Sequence, residues 1–147
     1  MGILTTKAIV TGHSRGLGAA IAEILLTKGI SVLGISRKSA THLAPEFSGL
    51  LTEVALDLAD TEKLANWLNS GVLAHFAEGA DSLLVINNAG VLGPIGPLGS
   101  QDVVKIADAV AINVTAPLML SSHAAQLACS DIRILHVSSG AARDAYP

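Results

Sequence analysis

Three glycines punctuate residues 11–18 (TGHSRGLG), directly between an apolar segment and a segment of helical spacing. Gly12 permits a tight exit from a strand, Gly16 lets backbone approach a pyrophosphate, and Gly18 allows close helix–strand packing. The helix start would add unpaired N–H groups and a positive dipole end. The pattern therefore predicts a phosphate-binding turn, the alternative being a glycine-rich turn without a ligand. His13 is expected to be a solvated loop residue, because no acidic residue beside it could orient it as a base.

The second apolar segment, residues 30–35, ends in a polar cluster where an NAD(H) site would carry an acidic residue for the ribose hydroxyls. The cluster is Ser36-Arg37-Lys38. A hydroxyl and a guanidinium can bind a 2′-phosphate by charge-assisted hydrogen bonds, whereas a carboxylate would repel it. Arg15 could reach the same phosphate from the first turn. These cations favour NADP(H) over NAD(H), and the alternative is a merely solvated loop.

Further polar residues follow the later apolar segments. Asp57 follows the third segment, where it either binds the adenine amino edge or caps a helix. The sequence NNAG at residues 87–90 follows the fourth segment, and the pair Ser138-Ser139 follows the fifth. Asn113 lies inside a long helical pattern, although asparagine is a mediocre helix former. A hydroxyl at a strand end can simply cap backbone, so Ser139 by itself predicts no function.

Short apolar segments alternate with segments of helical spacing along the chain. Strands are predicted over residues 6–10, 30–35, 51–56, 82–86 and 132–137. Helices are predicted from Leu17 to Lys28-Gly29, over a segment capped by Asp60 or Thr61, and from about Asp102 to Cys129. Such alternation implies right-handed βαβ units. The predicted fold class is therefore α/β, a Rossmann-type doubly wound parallel sheet with five strands present, in one domain over residues 1–147.

The last predicted helix is expected to turn one apolar side toward the sheet. That side holds Val103, Ile106, Val110, Val114 and Leu118. Pro117 is expected to kink the helix or to mark a local break. The fifth strand, following this helix, is expected to leave an open edge and a bare apolar face.

Composition bounds the class of protein. Half the residues are apolar, 14% are charged and 3% are aromatic, which excludes a disordered chain and suits strands buried on both faces. A mean hydropathy of +0.55 indicates either that the fold buries most of its surface under helices or that some apolar surface expects a partner. The net charge of −3 predicts no nucleic-acid partner and no membrane surface. The single cysteine, Cys129, favours a cytoplasmic protein, as does the absence of a signal-peptide pattern and of an uncharged apolar run of membrane-spanning length.

Together these motifs resemble the short-chain dehydrogenase/reductase family. The TGxxxGxG turn, the NNAG after the fourth strand, Asn113 in the next helix and Ser139 after the fifth strand stand in the family's order. Residues 88–97 and 138–147 look closest to benzil-reductase and sepiapterin-reductase-like carbonyl reductases. The resemblance covers essentially the whole chain and corresponds to the N-terminal portion of the family fold, whose C-terminal helix and strands would be missing.

The resemblance implies a role for each matching residue. Ser139 would hydrogen-bond the substrate carbonyl, and Asn113 would hold a water of a proton relay through its backbone carbonyl, so these are the predicted catalytic residues. The implied cofactor is NADP, and no metal is expected. The residues predicted to bind the cofactor are Gly12, Ser14, Arg15, Gly16, Leu17, Gly18, Ser36, Arg37, Asp57, Leu58, Asn88, Ala89 and Gly90.

The family's proton donor is the tyrosine of a YxxxK motif, which the resemblance would place beyond Pro147. Tyr146 is expected to be a loop residue near the rim of the site. The first hypothesis is therefore the front part of a carbonyl reductase for a small ketone, aldehyde or diketone, inactive by itself and a homo-oligomer when intact. The second is a non-catalytic NADP(H)-binding module or an inactive relic. The third, a binder of S-adenosylmethionine or flavin, explains the glycine turn but not the other motifs.

Overall fold

A computed structural model of the chain describes residues 4–43 and 45–140. The strands are β1 (Thr6–Thr11), β2 (Ser31–Ser36), β3 (Leu51–Ala55), β4 (Ser82–Asn87) and β5 (Asp131–His136). The helices are α1 (Gly16–Thr27), α2 (Thr61–Leu68), α3 (Val72–Ala77), α4 (Val103–Val110) and α5 (Ala116–Ala124). All strands pair in parallel in the order β3-β2-β1-β4-β5. The predicted Rossmann-type sheet of five strands is confirmed.

Strand β1 lies at the centre of the sheet and is buried on both faces. Ala8, Ile9 and Val10 have no exposed surface. Successive side chains of a strand point to opposite faces. Ile9 accordingly belongs to a cluster with side chains of α2 and α5, whereas Ala8 and Val10 belong to a cluster with side chains of α1. Helices therefore cover both faces, as a doubly wound sheet requires.

Two helix boundaries follow from local signals in the sequence. Helix α1 ends where Gly29 adopts a φ of +75° and its N–H donates to the Leu26 carbonyl at 2.9 Å. This left-handed glycine is the predicted stop. Helix α2 begins after Asp60, whose carboxylate accepts a hydrogen bond from the Lys63 N–H at 3.0 Å. Of the two predicted caps, Asp60 rather than Thr61 is the one observed.

The last helical segment is continuous but not uniform. Between α4 and α5 the chain forms a π-helical turn, Ala111–Thr115, so the predicted local break lies just before Pro117. The whole segment, Val103–Ala124, has 22 residues and contains an 18-residue window with a mean hydropathy of 1.6, so by length and composition alone it could cross a membrane. The segment carries Lys105 and Asp108, so it is not the uncharged apolar run whose absence was predicted. The α5 half packs on β4 and β5, and a core helix passes the same test, so this evidence for a membrane span is weak.

The predicted buried side of this helix is wrong for most of its residues. Val103, Val110, Val114 and Leu118 are exposed, between 51% and 76%. The side that meets the sheet instead carries Ala116, Leu120 and Ala124. Apolar residues occur nearly all round this helix, so periodicity could not show which side the sheet covers; small alanines permit the closer approach. The exposed residues and the edge strand β5, with Leu135 at 55%, give the chain the bare apolar surface that was expected.

Candidate functional site

A cleft of about 480 Å³ opens at the carboxyl ends of the strands, where the strand order reverses between β1 and β4. Ligands of open parallel sheets bind at such a reversal, and the volume suits a small molecule or cofactor. The lining residues are Gly12, Ser14, Arg15, Gly16, Leu17, Gly18, Ile35, Ser36, Arg37, Lys38, Leu56, Asp57, Leu58, Asn88, Ala89, Gly90, Val91 and Ile112. All residues predicted to bind the cofactor are in this set.

The glycine turn forms one wall of the cleft. Gly12 has a φ of +71° and donates its N–H to the Ile35 carbonyl at 2.8 Å, which makes the tight exit from β1 possible. Helix α1 then begins at Gly16, with Arg15 as an extended N-cap whose side chain makes no capping hydrogen bond. Because Leu17 and its neighbours line the cleft, unpaired N–H groups and the positive end of α1 lie at this wall.

Helix α1 touches the ends of β1 and β4 at Gly18. A Cβ at Gly18 would overlap the Gly12 carbonyl oxygen and the Asn88 side-chain nitrogen. The same Asn88 nitrogen donates to the Thr11 carbonyl at 3.0 Å. The close helix–strand packing expected at Gly18 is therefore present, and Asn88 braces the two central strands.

Thr11 is a site residue whose role the sequence did not reveal. Its side chain is buried, and its Oγ1 accepts hydrogen bonds from the backbone N–H groups of Asn88 and Ala89, each at 3.0 Å. One hydroxyl thus joins the glycine turn to the NNAG turn. The available signal was a hydroxyl residue ending an otherwise apolar strand, which is too common a pattern to interpret by itself.

Three cationic side chains line the outer part of the cleft. Arg37 and Lys38 follow β2, and Arg15 comes from the glycine turn. Within residues 4–43 and 45–140, none of them forms an ion pair with an acidic side chain. The hydroxyl of Ser36 is buried and donates to the Lys38 carbonyl, which shapes this turn. The outer cleft therefore presents positive charge that is not neutralised by neighbouring carboxylates of the described residues.

Asp57 lines the cleft beside the end of β3. Its Oδ1 accepts a hydrogen bond from the Ala59 N–H at 3.0 Å, an Asx-type turn. Since Asp60 is the cap of α2, the alternative that Asp57 caps this helix is wrong. The carboxylate remains exposed at the cleft, where the amino edge of a purine could meet it.

Asn113 lies in the π-helical turn and ties it to the loop after β4. Its Oδ1 accepts from the Val91 N–H and its Nδ2 donates to the Val91 carbonyl, both at 2.9 Å. The residue four positions on is Pro117, which has no N–H. The Asn113 carbonyl therefore lacks the donor that an α-helix would provide.

The two predicted catalytic residues do not line the cleft in the part of the chain that the structure describes. Ser139 is exposed and follows β5, whose end is held to β4 by a hydrogen bond from Val137 N–H to the Asn87 carbonyl at 3.0 Å. Tyr146, expected near the rim, lies outside the described residues.

The expectation that His13 is solvated is wrong. Its side chain is 1% exposed, and its Nε2 lies 2.7 Å from Oε1 of Glu53 on β3. Burial by itself raises the pKa of Glu53, but hydrogen bonds from the Ala40 N–H, the Ser39 hydroxyl and His13 outweigh it, so this pKa is below its ordinary value. The partner was missed because 40 residues separate His13 from Glu53, and only strand pairing brings them together.

Comparison with known proteins agrees with this geometry. The family model described as short chain dehydrogenase matches residues 6–147. The chain belongs to the short-chain dehydrogenase family. Benzil reductase ((S)-benzoin forming) of Bacillus cereus is 33% identical over 145 residues, which cover 94% of this chain and 58% of the relative. The chain thus spans less than two thirds of that protein, and the family resemblance predicted from the motifs is confirmed.

Solved structures share this fold. A short-chain dehydrogenase/reductase of Burkholderia vietnamiensis is 54% identical, with a TM-score of 0.93 over 96% of this chain and 66% of that one. A metagenomic short-chain oxidoreductase in complex with NADP is 30% identical, with a TM-score of 0.78 over 96% of this chain and 64% of that one.

Proposed function

We propose that the protein containing this chain is an NADP(H)-dependent oxidoreductase that reduces a small carbonyl compound. The observation that carries the cofactor assignment is the outer cleft, where Arg15, Arg37 and Lys38 line the wall beside Ser36. The family membership and the NADP complex of a solved neighbour support it. Benzil reductase is a relative, which supports a ketone, an aldehyde or a diketone as the substrate class.

The residues of the cleft fit the parts of NADP(H). The first-turn N–H groups of α1 would hold the pyrophosphate, and Gly16, where a Cβ would meet no atom within 4 Å, leaves open space there. Arg37, Lys38 and Arg15 would hold the 2′-phosphate. Asp57 would accept from the adenine amino group. The residues of the NNAG turn, Asn88 to Gly90, would line the adenine-ribose side.

Two residues of the chain would act near the nicotinamide end of the cofactor, where the substrate would react. When bound, the nicotinamide supplies the hydride. Ser139 would donate a hydrogen bond to the substrate carbonyl oxygen and stabilise the developing alkoxide. The backbone carbonyl of Asn113, which lacks an α-helical donor because of Pro117, would hold a water that carries a proton.

The proposal also covers the oligomeric state, the partners and the cellular location of the protein. The exposed apolar side of α4 and α5 supports a homo-oligomer for the intact protein. The net charge of −3 supports partners other than nucleic acid or an anionic membrane surface. A single free cysteine supports a reducing, cytoplasmic location.

A charge reversal at Arg37 tests the cofactor assignment. Arg37→Glu should weaken NADPH binding by about tenfold or more, because a charge-assisted bond to phosphate is replaced by repulsion. NADH, which lacks the 2′-phosphate, should lose much less. The measurement is fluorescence or calorimetric titration of the full chain with each nucleotide. Lys105→Glu on exposed α4, outside the cleft lining, is the matched charge control. Equal losses for both nucleotides would remove the 2′-phosphate argument.

A non-catalytic NADP(H)-binding module is the second candidate. The observation that favours it is the separation within the described residues: the predicted nucleotide-binding residues line the cleft, whereas Ser139 and Asn113 do not. Both candidates bind the nucleotide, and they differ in turnover. Oxidation of NADPH on addition of a diketone to the intact protein would favour the reductase, and binding without turnover would favour the module.

A further inference from the structure

We infer that His13 and Glu53 form a positioning pair, which sets the spacing between the turn for the pyrophosphate and the loop for the 2′-phosphate. The inference rests on the proposed NADP(H) function and goes beyond it, because neither residue lines the cleft. Their effect would reach the nucleotide through the residues next to them.

The His13 side chain crosses the surface of β2 to reach β3. Gly34 of β2 is the register partner of Glu53, and a Cβ at Gly34 would overlap the His13 ring. A glycine inside a strand weakens it unless a close approach needs the space. Gly34 therefore makes room for the imidazole, which lies between the glycine turn and the carboxylate.

Among residues 4–43 and 45–140, the hydrogen bond to Glu53 is the one polar contact of the buried ring. Nε2 must donate, because the partner is an ionised carboxylate, and Nδ1 has no hydrogen-bond partner among the described residues. The turn that contains His13 is therefore held at one defined point.

The carboxylate of Glu53 also holds the loop after β2. Its Oε1 accepts from the Ala40 N–H and its Oε2 from the Ser39 hydroxyl, both at 2.6 Å. Ser39 directly follows Lys38, and Ser14 directly follows His13. One side chain, 21% exposed, thus connects the glycine turn and the cationic loop with β3.

This connection would act on affinity by preorganisation. Cations that are already fixed relative to a phosphate-binding turn lose less freedom when a ligand joins them. NADPH engages both segments, whereas NADH lacks the phosphate that the cationic loop would bind. Loss of the pair should therefore lower affinity for NADPH more than affinity for NADH.

Two substitutions at Glu53 separate this role from folding in general. Glu53→Ala should weaken NADPH about tenfold, a factor equivalent to about 1.4 kcal/mol, and NADH by no more than about twofold. Glu53→Gln should restore NADPH affinity, because the amide oxygen can accept from His13 and Ala40 while its NH₂ donates to the Ser39 hydroxyl. Thr52→Ala, at the neighbouring exposed position of β3, is the control and should change neither affinity.

A second substitution keeps the packing and removes the bond. His13→Phe fills the space over Gly34 but cannot donate to Glu53, so it should lower the ratio of NADPH to NADH affinity as Glu53→Ala does. The double variant should lose little more than either single variant, because both remove one interaction. If Glu53→Ala fails to fold, the His13→Phe variant by itself tests the positioning pair.

The titrations of the full chain with the two nucleotides give distinct outcomes. Wild-type protein that prefers NADPH, with selective loss in Glu53→Ala or His13→Phe and rescue in Glu53→Gln, supports the positioning pair. Equal losses for both nucleotides, or no loss, overturn the inference and leave the proposed function intact. Wild-type protein that binds neither nucleotide contradicts the proposed function, and the inference falls with it.

Discussion

Buried polar side chains at the carboxyl end of β1 hold the cleft in shape. The Thr11 hydroxyl joins the two turns on either side of the strand reversal, and His13 joins the glycine turn to Glu53. A buried donor that loses its acceptor costs about 1–3 kcal/mol. Removing one of these side chains would therefore destabilise the fold, because it would leave its hydrogen-bonding partner unpaired. At the residue scale, the walls of the cleft therefore depend on groups that lie behind its surface.

The Thr11 hydroxyl should make a measurable contribution to the free energy of unfolding. Thr11→Val keeps the shape but leaves the N–H groups of Asn88 and Ala89 without their acceptor, so the free energy of unfolding should fall by about 2 kcal/mol or more. Thr11→Ser keeps the acceptor and is the matched control, expected to lose much less. Urea unfolding measures the stability of both variants. Equal stability of Thr11→Val and Thr11→Ser would contradict the bracing role of the hydroxyl.

The sequence predicted the position of those cleft residues whose placement depends on their immediate neighbours. Gly12, Gly18 and Arg37 could be placed at the cleft because a turn, a close approach and a strand end are local features. His13 was misjudged because its environment is made by β3, far along the chain. Thr11 was missed because its two donors come from the turn after β4, far along the chain. Long-range hydrogen bonds between strand ends leave no periodic signal.

Helices and strands were predictable where a terminal residue marks them. Gly29 ends α1 and Asp60 begins α2, since both signals act within one turn of helix. The short helix α3 was missed, because its six residues carry too little periodicity to detect. The predicted buried side of the segment Val103–Ala124 was wrong, because the side that a largely apolar helix buries depends on what lies next to it. At the scale of helices and strands, the ends of an element follow from nearby residues, whereas its packing partners depend on residues far along the chain.

The link between β3 and its neighbouring segments should make stability depend on pH. The pKa of Glu53 lies below its ordinary value of 4.5, so the carboxylate stabilises the fold above that pH and the contribution is lost as pH falls through the folded-state pKa. Glu53→Gln cannot titrate. Wild-type protein should therefore lose unfolding free energy relative to the glutamine variant as the pH is lowered below 4.5.

Denaturant unfolding of wild type and Glu53→Gln between neutral and acidic pH tests this expectation. The difference in unfolding free energy should be constant near neutral pH and should narrow or reverse in acid. A difference that does not change with pH would show that Glu53 does not have a depressed pKa in the folded chain.

The whole molecule combines a buried centre with an exposed apolar side. The strands next to β1 are covered on both faces, while α4 and β5 expose residues such as Val110 and Leu135 at more than half of their surface. Proteins rarely leave such apolar area in water without a partner. Which apolar residues are buried and which are exposed therefore depends on the whole tertiary structure and cannot be predicted from a short segment of sequence.

This exposed side predicts association in solution. The chain expressed by itself should form concentration-dependent oligomers, and Val110→Lys should weaken them by placing a charge on the apolar side of α4. Asn66→Lys adds the same charge on exposed α2 and is the control. Sedimentation velocity over a range of concentrations measures the effect. A monomer at all concentrations, or equal effects of both lysines, would contradict the assignment of this side.

The reversal of strand order at β1 has a consequence for how such a protein changes through time. The residues that would choose between nucleotides stand on the turns beyond the strand ends, and the residues that fill the core stand within the strands. Substitutions at Arg37 and Lys38 can alter ligand preference without disturbing the packed interior, since loops tolerate variation that cores do not. Descendants of one sheet can thereby acquire different cofactor preferences while inheriting the same architecture.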